Sequence, residues 1–210
     1  MGVHASRSKL AVCSLQAKSK VTNKMKWIKF SLITFLISAI LGPIGDFFHV
    51  HTHATSYPPF VYGYYFLNRV PWWVPILFGS AGLSIALSTL AIDKRRDTHS
   101  FIEIFIGFIG FLGLYISSGY LPHNLIADAI IASGAILIWY FLERTRLGLF
   151  LAISNALFGT AFEIMLVKLG VFSYSDTNNR LFGVASWLPW LYVAVSVGVG
   201  NFARFMIGRL

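Results

Sequence analysis

The sequence predicts an all-α fold, a polytopic membrane protein with six transmembrane helices in a bundle. Composition and the placement of basic residues are the two observations that predict it. Of the 210 residues, 56% are hydrophobic and only 12% are charged, and the mean hydropathy is +0.69. A soluble domain carries about 25% charged residues. The excess of apolar surface therefore indicates that lipid is the solvent.

Six apolar stretches have the length of a membrane span. About 20 residues, rising 1.5 Å each, cross a hydrocarbon core of ~30 Å. The predicted spans are residues 27–45, 72–92, 101–120, 125–142, 148–172 and 186–207. Residues 27–210 are thus expected to form one transmembrane domain, preceded by a basic, disordered cytoplasmic tail over residues 1–26.

The N-terminal segment leaves three other interpretations open. Its basic, acid-free composition also suits a transit-like peptide. Translation could instead start at Met25, and residues 1–6 fit the loose pattern for N-terminal myristoylation. The single cysteine, Cys13, excludes an internal disulfide framework and a cysteine zinc cluster.

Basic residues predict the orientation, because lysine and arginine concentrate in cytoplasmic loops. Seven lie before or at the start of the first span, three follow the second, two follow the fourth and two lie at the C-terminal end, so 14 of 17 fall on one side. Both termini are therefore predicted to be cytoplasmic. The net charge of +9 is a topology signal and not a sign of nucleic-acid binding. The predicted location is the plasma membrane in a bacterium and the endoplasmic reticulum in a eukaryote.

Polar residues within or beside spans are functional candidates, because they are costly in lipid. One group follows the first span, at Asp46, His49, His51 and His53. In an extended chain the alternate histidines would point to one side and could bind a divalent metal. On the same predicted non-cytoplasmic side lie further polar residues, namely His123, Asp128, Glu163 and Lys168.

This set suggests one alternative function, a membrane-embedded metal-dependent hydrolase with its site at the non-cytoplasmic rim. The hypothesis requires Asp46, His49, Asp128 and Glu163 to lie within about 12 Å of one another, a loose limit for a shared site. Histidines hydrogen-bonded to backbone or lipid headgroups explain the same residues without catalysis. The sequence contains no HExxH motif, Walker loop or nucleophile elbow. A small-solute transporter is the third interpretation, with prolines in or near the spans as its only support.

Several short motifs, taken in order, resemble the Insig (insulin-induced gene) family. They cover residues 72–206 without being individually specific. The matching stretches are Trp72-Trp73-Val74-Pro75 with Gly79, Ile92-Asp93, Glu143-Arg144-Thr145-Arg146 with Gly148, Gly170-Val171-Phe172-Ser173-Tyr174, Ser186-Trp187-Leu188-Pro189, and Gly200-Asn201 with Arg204.

The resemblance implies a non-enzymatic, lipid-responsive regulatory protein without a metal or other cofactor. Insig proteins hold a lipid in a cleft between helices, so a diacylglycerol- or sterol-like molecule is the expected ligand. The candidate lipid-binding residues are Phe78, Gly79, Phe108, Phe158, Tyr174 and Trp187. The resemblance also implies that Glu143, Arg144 and Arg146, in the loop between spans four and five, bind another membrane protein. A homo-oligomer is a further expected assembly.

The chain departs from the animal members of that family in three places. Those members have aspartate where this chain has Glu143, and cysteines where it has Ile76, Leu77 and Phe78. The histidine-rich segment has no counterpart in them, and the first span aligns poorly. The departures put in doubt whether the animal partner is shared, and they leave the histidines unexplained.

Overall fold

The computed structural model describes residues 3–58, 65–67, 70–95, 99–122 and 124–210, and the side chains within these ranges from residue 24 onward, those of residues 65–67 excepted. The helices are α1 (Val3–His51), α2 (Val74–Ile92), α3 (Phe101–Tyr120), α4 (Leu125–Leu142), α5 (Arg146–Lys168) and α6 (Leu188–Arg209). Four short strands are β1 (Thr55–Ser56), β2 (Tyr65–Leu67), β3 (Val70–Pro71) and β4 (Ser173–Tyr174).

Local sequence signals explain where most of these helices begin. Ser100 and Glu103 form a reciprocal capping box at the start of α3. Asn124 and Thr145 cap α4 and α5, because each side chain accepts hydrogen bonds from free backbone N–H groups of the first turn. In α2 and α6 a proline occupies the first turn, where its missing N–H group costs nothing.

Helix α6 is the centre of the bundle. It packs against each of the other five helices. In its most apolar 18-residue stretch 72% of the residues are buried, against 17–28% in the corresponding stretches of the other described spans. Small residues allow this close packing: a Cβ on Gly198 would lie 3.5 Å from the backbone carbonyl of Gly107 in α3. In lipid, such backbone approach replaces the hydrophobic effect as a source of helix association.

A small antiparallel sheet closes one end of the bundle. Thr55 pairs with Tyr174 and Ser56 pairs with Ser173, which joins the α1–α2 connection to the α5–α6 connection. We call this the cap end; α1, α3 and α5 finish there, and α2, α4 and α6 begin there. The opposite end holds the ion pairs described below and is called the ion-pair end.

The six predicted spans correspond to the six helices of the described residues that are long and apolar enough to cross a membrane. The main differences concern α1. Its backbone is helical from Val3, where a disordered tail was predicted, and its apolar part runs from Lys24 to His51. The condition under which the alternate histidines would point to one side, an extended chain, is not met at His49 and His51, because both residues lie in the last turns of this helix.

Candidate lipid-binding cleft

An apolar cleft lies inside the cap-end half of the bundle. The residues that line it belong to α1, α2, α3, α5 and α6. Its interior measures about 80 Å³, or about 670 Å³ when the space at its open side is included. The apolar lining comprises Leu41, Phe78, Ala81, Ile85, Phe108, Phe111, Leu188, Leu191, Val195 and Val199. The interior alone is smaller than a typical small-molecule site of roughly 300–1,000 Å³.

One wall of the cleft carries a carboxyl group held by two tyrosines. Glu163 on α5 lines the cleft together with Tyr192. The Tyr192 hydroxyl donates to Glu163 Oε1 at 2.8 Å, and the Tyr174 hydroxyl donates to Oε2 at 2.7 Å. The pKa of Tyr174 is raised well above its ordinary value by burial and by the adjacent carboxyl group. This pair of bonds fixes the Glu163 side chain at the cleft wall.

A second carboxyl group, which is buried, lies on α1. Asp46 is 5% exposed and accepts a hydrogen bond of 2.8 Å from the Tyr57 hydroxyl. Burial, followed by the charge of Asp46, raises the pKa of Tyr57 well above its ordinary value. Because Tyr57 follows β1 and Tyr174 belongs to β4, the cap is tied to both carboxyl groups.

The histidines do not converge on this cluster. His49 is buried, and its Nε2 atom hydrogen-bonds to the Tyr115 carbonyl and to Ser118 Oγ, both at 2.9 Å. His51 and His53 are exposed. The structure thus assigns His49 to helix packing between α1 and α3.

The hydrolase hypothesis lacks a metal site in the part of the chain that the structure describes. No group of three or more His, Cys, Asp or Glu side chains there could hold a metal ion. Asp128 accepts hydrogen bonds from Ser186 Oγ at 2.8 and 2.9 Å. His123 lies outside the described residues, and Lys168 is exposed at the end of α5.

A network of four charged residues lies at the ion-pair end. Arg204 on α6, 5% exposed, donates to Asp93 at 2.6 Å and also to Glu143. Arg95 donates to Asp93 at 2.8 and 3.0 Å and to Glu143 at 2.5 Å. The two arginines thus bridge the ends of α2 and α4 to α6.

The network sets the protonation of its acids. Burial would raise the pKa values of Asp93 and Glu143, but hydrogen bonds and the positive charges of Arg95 and Arg204 outweigh it and hold both pKa values below their ordinary range. Hydrogen bonds from Arg95 to Asp93, and the nearby negative charges, raise the pKa of that guanidinium. Asp93, Glu143 and Arg95 are therefore charged at neutral pH.

Comparison with known proteins decides the family. No family model matches the chain. An INSIG protein homolog of Mycolicibacterium vanbaalenii is 32% identical over 189 residues, which covers 87% of this chain and 89% of the homolog. The chain belongs to the Insig family. Insulin-induced gene 2 protein of Xenopus tropicalis is 27% identical, with 89% of this chain and 87% of that protein covered. Insulin-induced gene 1 protein of Danio rerio is 23% identical over 84% of this chain.

A solved structure agrees with this family assignment. The crystal structure of the mycobacterial Insig homolog superposes with a TM-score of 0.81 and 30% identity, covering 87% of this chain and 96% of that one. The same homolog has also been crystallised as a cross-linked trimer. The chain is thus an integral, multi-pass membrane protein with the helical bundle of an Insig protein. The cytoplasmic placement of its termini stays a prediction.

The predicted lipid-binding residues of this Insig chain fall into three environments. Phe78 and Phe108 line the cleft. Tyr174 and Trp187 are buried beside it, and Tyr174 contacts it through Glu163. Gly79 is buried where a Cβ would meet the Phe35 ring at 2.7 Å, and Phe158 is 78% exposed on the outer surface. As ligand contacts, all six stay predictions.

The predicted partner-binding motif is divided between two roles. Glu143 is buried and bound to Arg95 and Arg204, so it stabilises the ion-pair end. Arg144 and Arg146 are exposed, and Arg144 lies 4.5 Å from the centre of the Tyr140 ring. A partner could therefore contact these two arginines without breaking the network, and their role stays a prediction.

Sequence reasoning missed most of the residues that organise the two ends. Tyr57 and Tyr192 received no role. Arg95 was counted only as a topology signal, and Arg204 only as a topology signal and as part of a family-like motif. A usable signal existed for Arg204: an arginine several residues inside the last span needs a buried acidic partner. No comparable signal pointed to the tyrosines, because tyrosine is common at the ends of membrane spans.

Proposed function

We propose that this Insig-family chain is a lipid-binding regulatory membrane protein that holds one apolar lipid in the cleft. The observation that carries the proposal is the cleft itself, which is lined by aromatic and aliphatic side chains from α1, α2, α3 and α6. A void of this kind loses packing contacts unless something fills it. In a membrane the molecules at hand to fill an apolar cleft are lipids.

The size of the cleft suggests how the ligand lies. The space of about 670 Å³ includes the open side, and a two-chain lipid or a sterol is large by comparison with the enclosed part. The ligand therefore inserts its polar end and the first part of its apolar body, and the remainder extends into the bilayer. A diacylglycerol- or sterol-like molecule has this shape.

Regulation follows from the position of the cleft between helices. Its lining residues belong to α1, α2, α3, α5 and α6. A lipid between them would favour the arrangement to which it binds more tightly, and so shift the population of conformations presented to a partner. In this proposal the protein acts by reporting lipid occupancy, and no chemical step is involved.

The test is the recovery of bound lipid from purified protein. Extraction and mass spectrometry should give about one apolar lipid per chain for the wild type. Ala81 lines the cleft, so Ala81→Trp should fill it and lower the recovered lipid at least about fivefold, since a bulky side chain excludes the ligand.

The matched control places the same substitution on the lipid-facing surface. Ala161 is exposed on α5, and Ala161→Trp should leave the recovered lipid unchanged. Wild-type protein that folds normally yet yields no stoichiometric lipid, or equal yields from both tryptophan variants, would contradict the proposal.

A further inference from the structure

The cleft has a distinct polar end. Apart from Ser38, which lies against Gly82, its polar lining side chains are Tyr115, Glu163 and Tyr192. All three lie toward the cap end of α3, α5 and α6. A lipid that enters the cleft with its polar end first would place its headgroup here, because the rest of the lining is apolar.

The groups at this end are acids and tyrosines. No lysine, arginine or histidine among the described residues lines the cleft. The hydrogen-bond partners of Glu163 in the described part of the chain are the hydroxyls of Tyr174 and Tyr192. Asp46, the nearby acid on α1, is bound to Tyr57. Neither acid forms an ion pair with a described residue, in contrast to Asp93 and Glu143.

The hydrogen-bonding capacity of Glu163 is only partly used. A carboxylate offers about four lone-pair sites, and each oxygen of Glu163 accepts one tyrosine hydroxyl. A headgroup that donates a hydrogen bond can use the remaining sites. An anionic headgroup brings only acceptors and an unpaired charge into a low-dielectric site, where no cation among the described lining residues offsets the cost of burying it.

We propose that Glu163 selects the headgroup of the bound lipid: the cleft takes uncharged lipids that carry a hydroxyl donor and excludes lipids with an anionic headgroup. This inference rests on the proposed function, because it requires a lipid in the cleft. Tyr174 and Tyr192 act as positioning residues that hold the carboxyl group at the wall.

Two lipids with the same hydrocarbon chain and different headgroups test this selectivity. Oleyl alcohol and oleate differ only at the headgroup, and their affinities can be compared by competition against a fluorescent acylglycerol in detergent. At about pH 9 the fatty acid is ionised, well above the ordinary pKa of a carboxyl group. Wild-type protein should bind the alcohol at least about tenfold more tightly, because the cleft offers Glu163 as a hydrogen-bond acceptor and no described cation offsets the cost of burying the anion.

Glu163→Gln keeps the shape of the side chain and replaces one carboxyl oxygen by an NH₂ group, which donates hydrogen bonds to an anion. The variant should bind the two lipids within about threefold of each other, mainly because the affinity for oleate rises. Asp128→Asn is the matched control. Asp128 is a carboxyl group near the same end that is bound to Ser186 and does not line the cleft, so this variant should keep the wild-type ratio.

Each remaining outcome is decisive. Equal binding of both lipids by wild-type protein would overturn the inference and leave the cleft as a lipid site, and this comparison holds even where Glu163→Gln does not fold. A folded Glu163→Gln variant with the wild-type ratio would overturn the role of Glu163. Failure of wild-type protein to bind either lipid would count against the proposed function itself.

Discussion

Arg204 shows how a single residue depends on its surroundings. It lies on the central helix and is 5% exposed, so its charge is largely withdrawn from water. An isolated buried charge costs several kcal/mol, and pairing offsets that cost only with good geometry and additional hydrogen bonds. Asp93 and Glu143 supply the charge, and Asn201 accepts a further hydrogen bond. Removing Arg204 would leave two buried acids short of a partner.

Replacement of Arg204 should therefore destabilise the protein strongly. Arg204→Met is expected to lower the free energy of unfolding by about 3–5 kcal/mol, the usual cost of removing one partner from a buried ion pair. Unfolding in mixed micelles with increasing denaturing detergent measures it. Arg144→Met is the matched control; Arg144 is exposed, and its effect should stay within about 0.5 kcal/mol. Similar losses for both variants would show that the network contributes little.

At the scale of helices, glycines set how closely neighbours approach. Gly45 of α1 is buried, and a Cβ there would lie 2.0 Å from the Tyr115 ring of α3. Gly113 of α3 is exposed, and a Cβ there would meet nothing within 4 Å. Both glycines lie inside apolar helices, but only Gly45 is required by a close neighbour; the space beside Gly113 would admit a side chain.

The same substitution should thus have opposite effects at these two positions. Gly45→Ala should lower the free energy of unfolding by about 1–3 kcal/mol, because the added methyl group overpacks the α1–α3 interface. Gly113→Ala should leave it unchanged or raise it by up to about 1 kcal/mol, since alanine favours the helix. The detergent-unfolding assay distinguishes them, and a loss at Gly113 as large as at Gly45 would contradict the packing described for α1 and α3.

The helices were largely predictable from sequence, and the site was not. The starts of α3 and α4 match the predicted spans because Ser100 and Asn124 are strong N-caps. The continuation of α1 through His49 was not predicted. The predicted span ends at residue 45, and the histidines after it were considered on an extended backbone, where alternate side chains share a face. Phe78 and Phe108 were predicted to line the cleft. The pairing of Glu163 with Tyr192 depends on how α5 packs against α6, which no local pattern specifies.

For the molecule as a whole, the two ends have different tasks. The ion-pair end joins α2, α4 and α6 through four charged residues, which stabilises the frame of the bundle. The cap end joins α1 and α5 through short strands and two tyrosine–carboxyl bonds, next to the cleft. The predicted topology places the ion-pair end in the cytoplasm. Lipid occupancy near one end could then be reported to a partner at the other.

Photo-crosslinking tests the central claim most directly. The probe is a long-chain alcohol with a photoactivatable group in mid-chain, and the labelled residues are identified by mass spectrometry. Because most of the apolar part of α6 is buried, label on Leu191 or Val195 requires a ligand inside the cleft. We expect label there that excess oleyl alcohol removes, while label on exposed Phe158 persists. Label confined to outward-facing residues such as Phe158, with none on α6, would contradict a lipid-binding cleft.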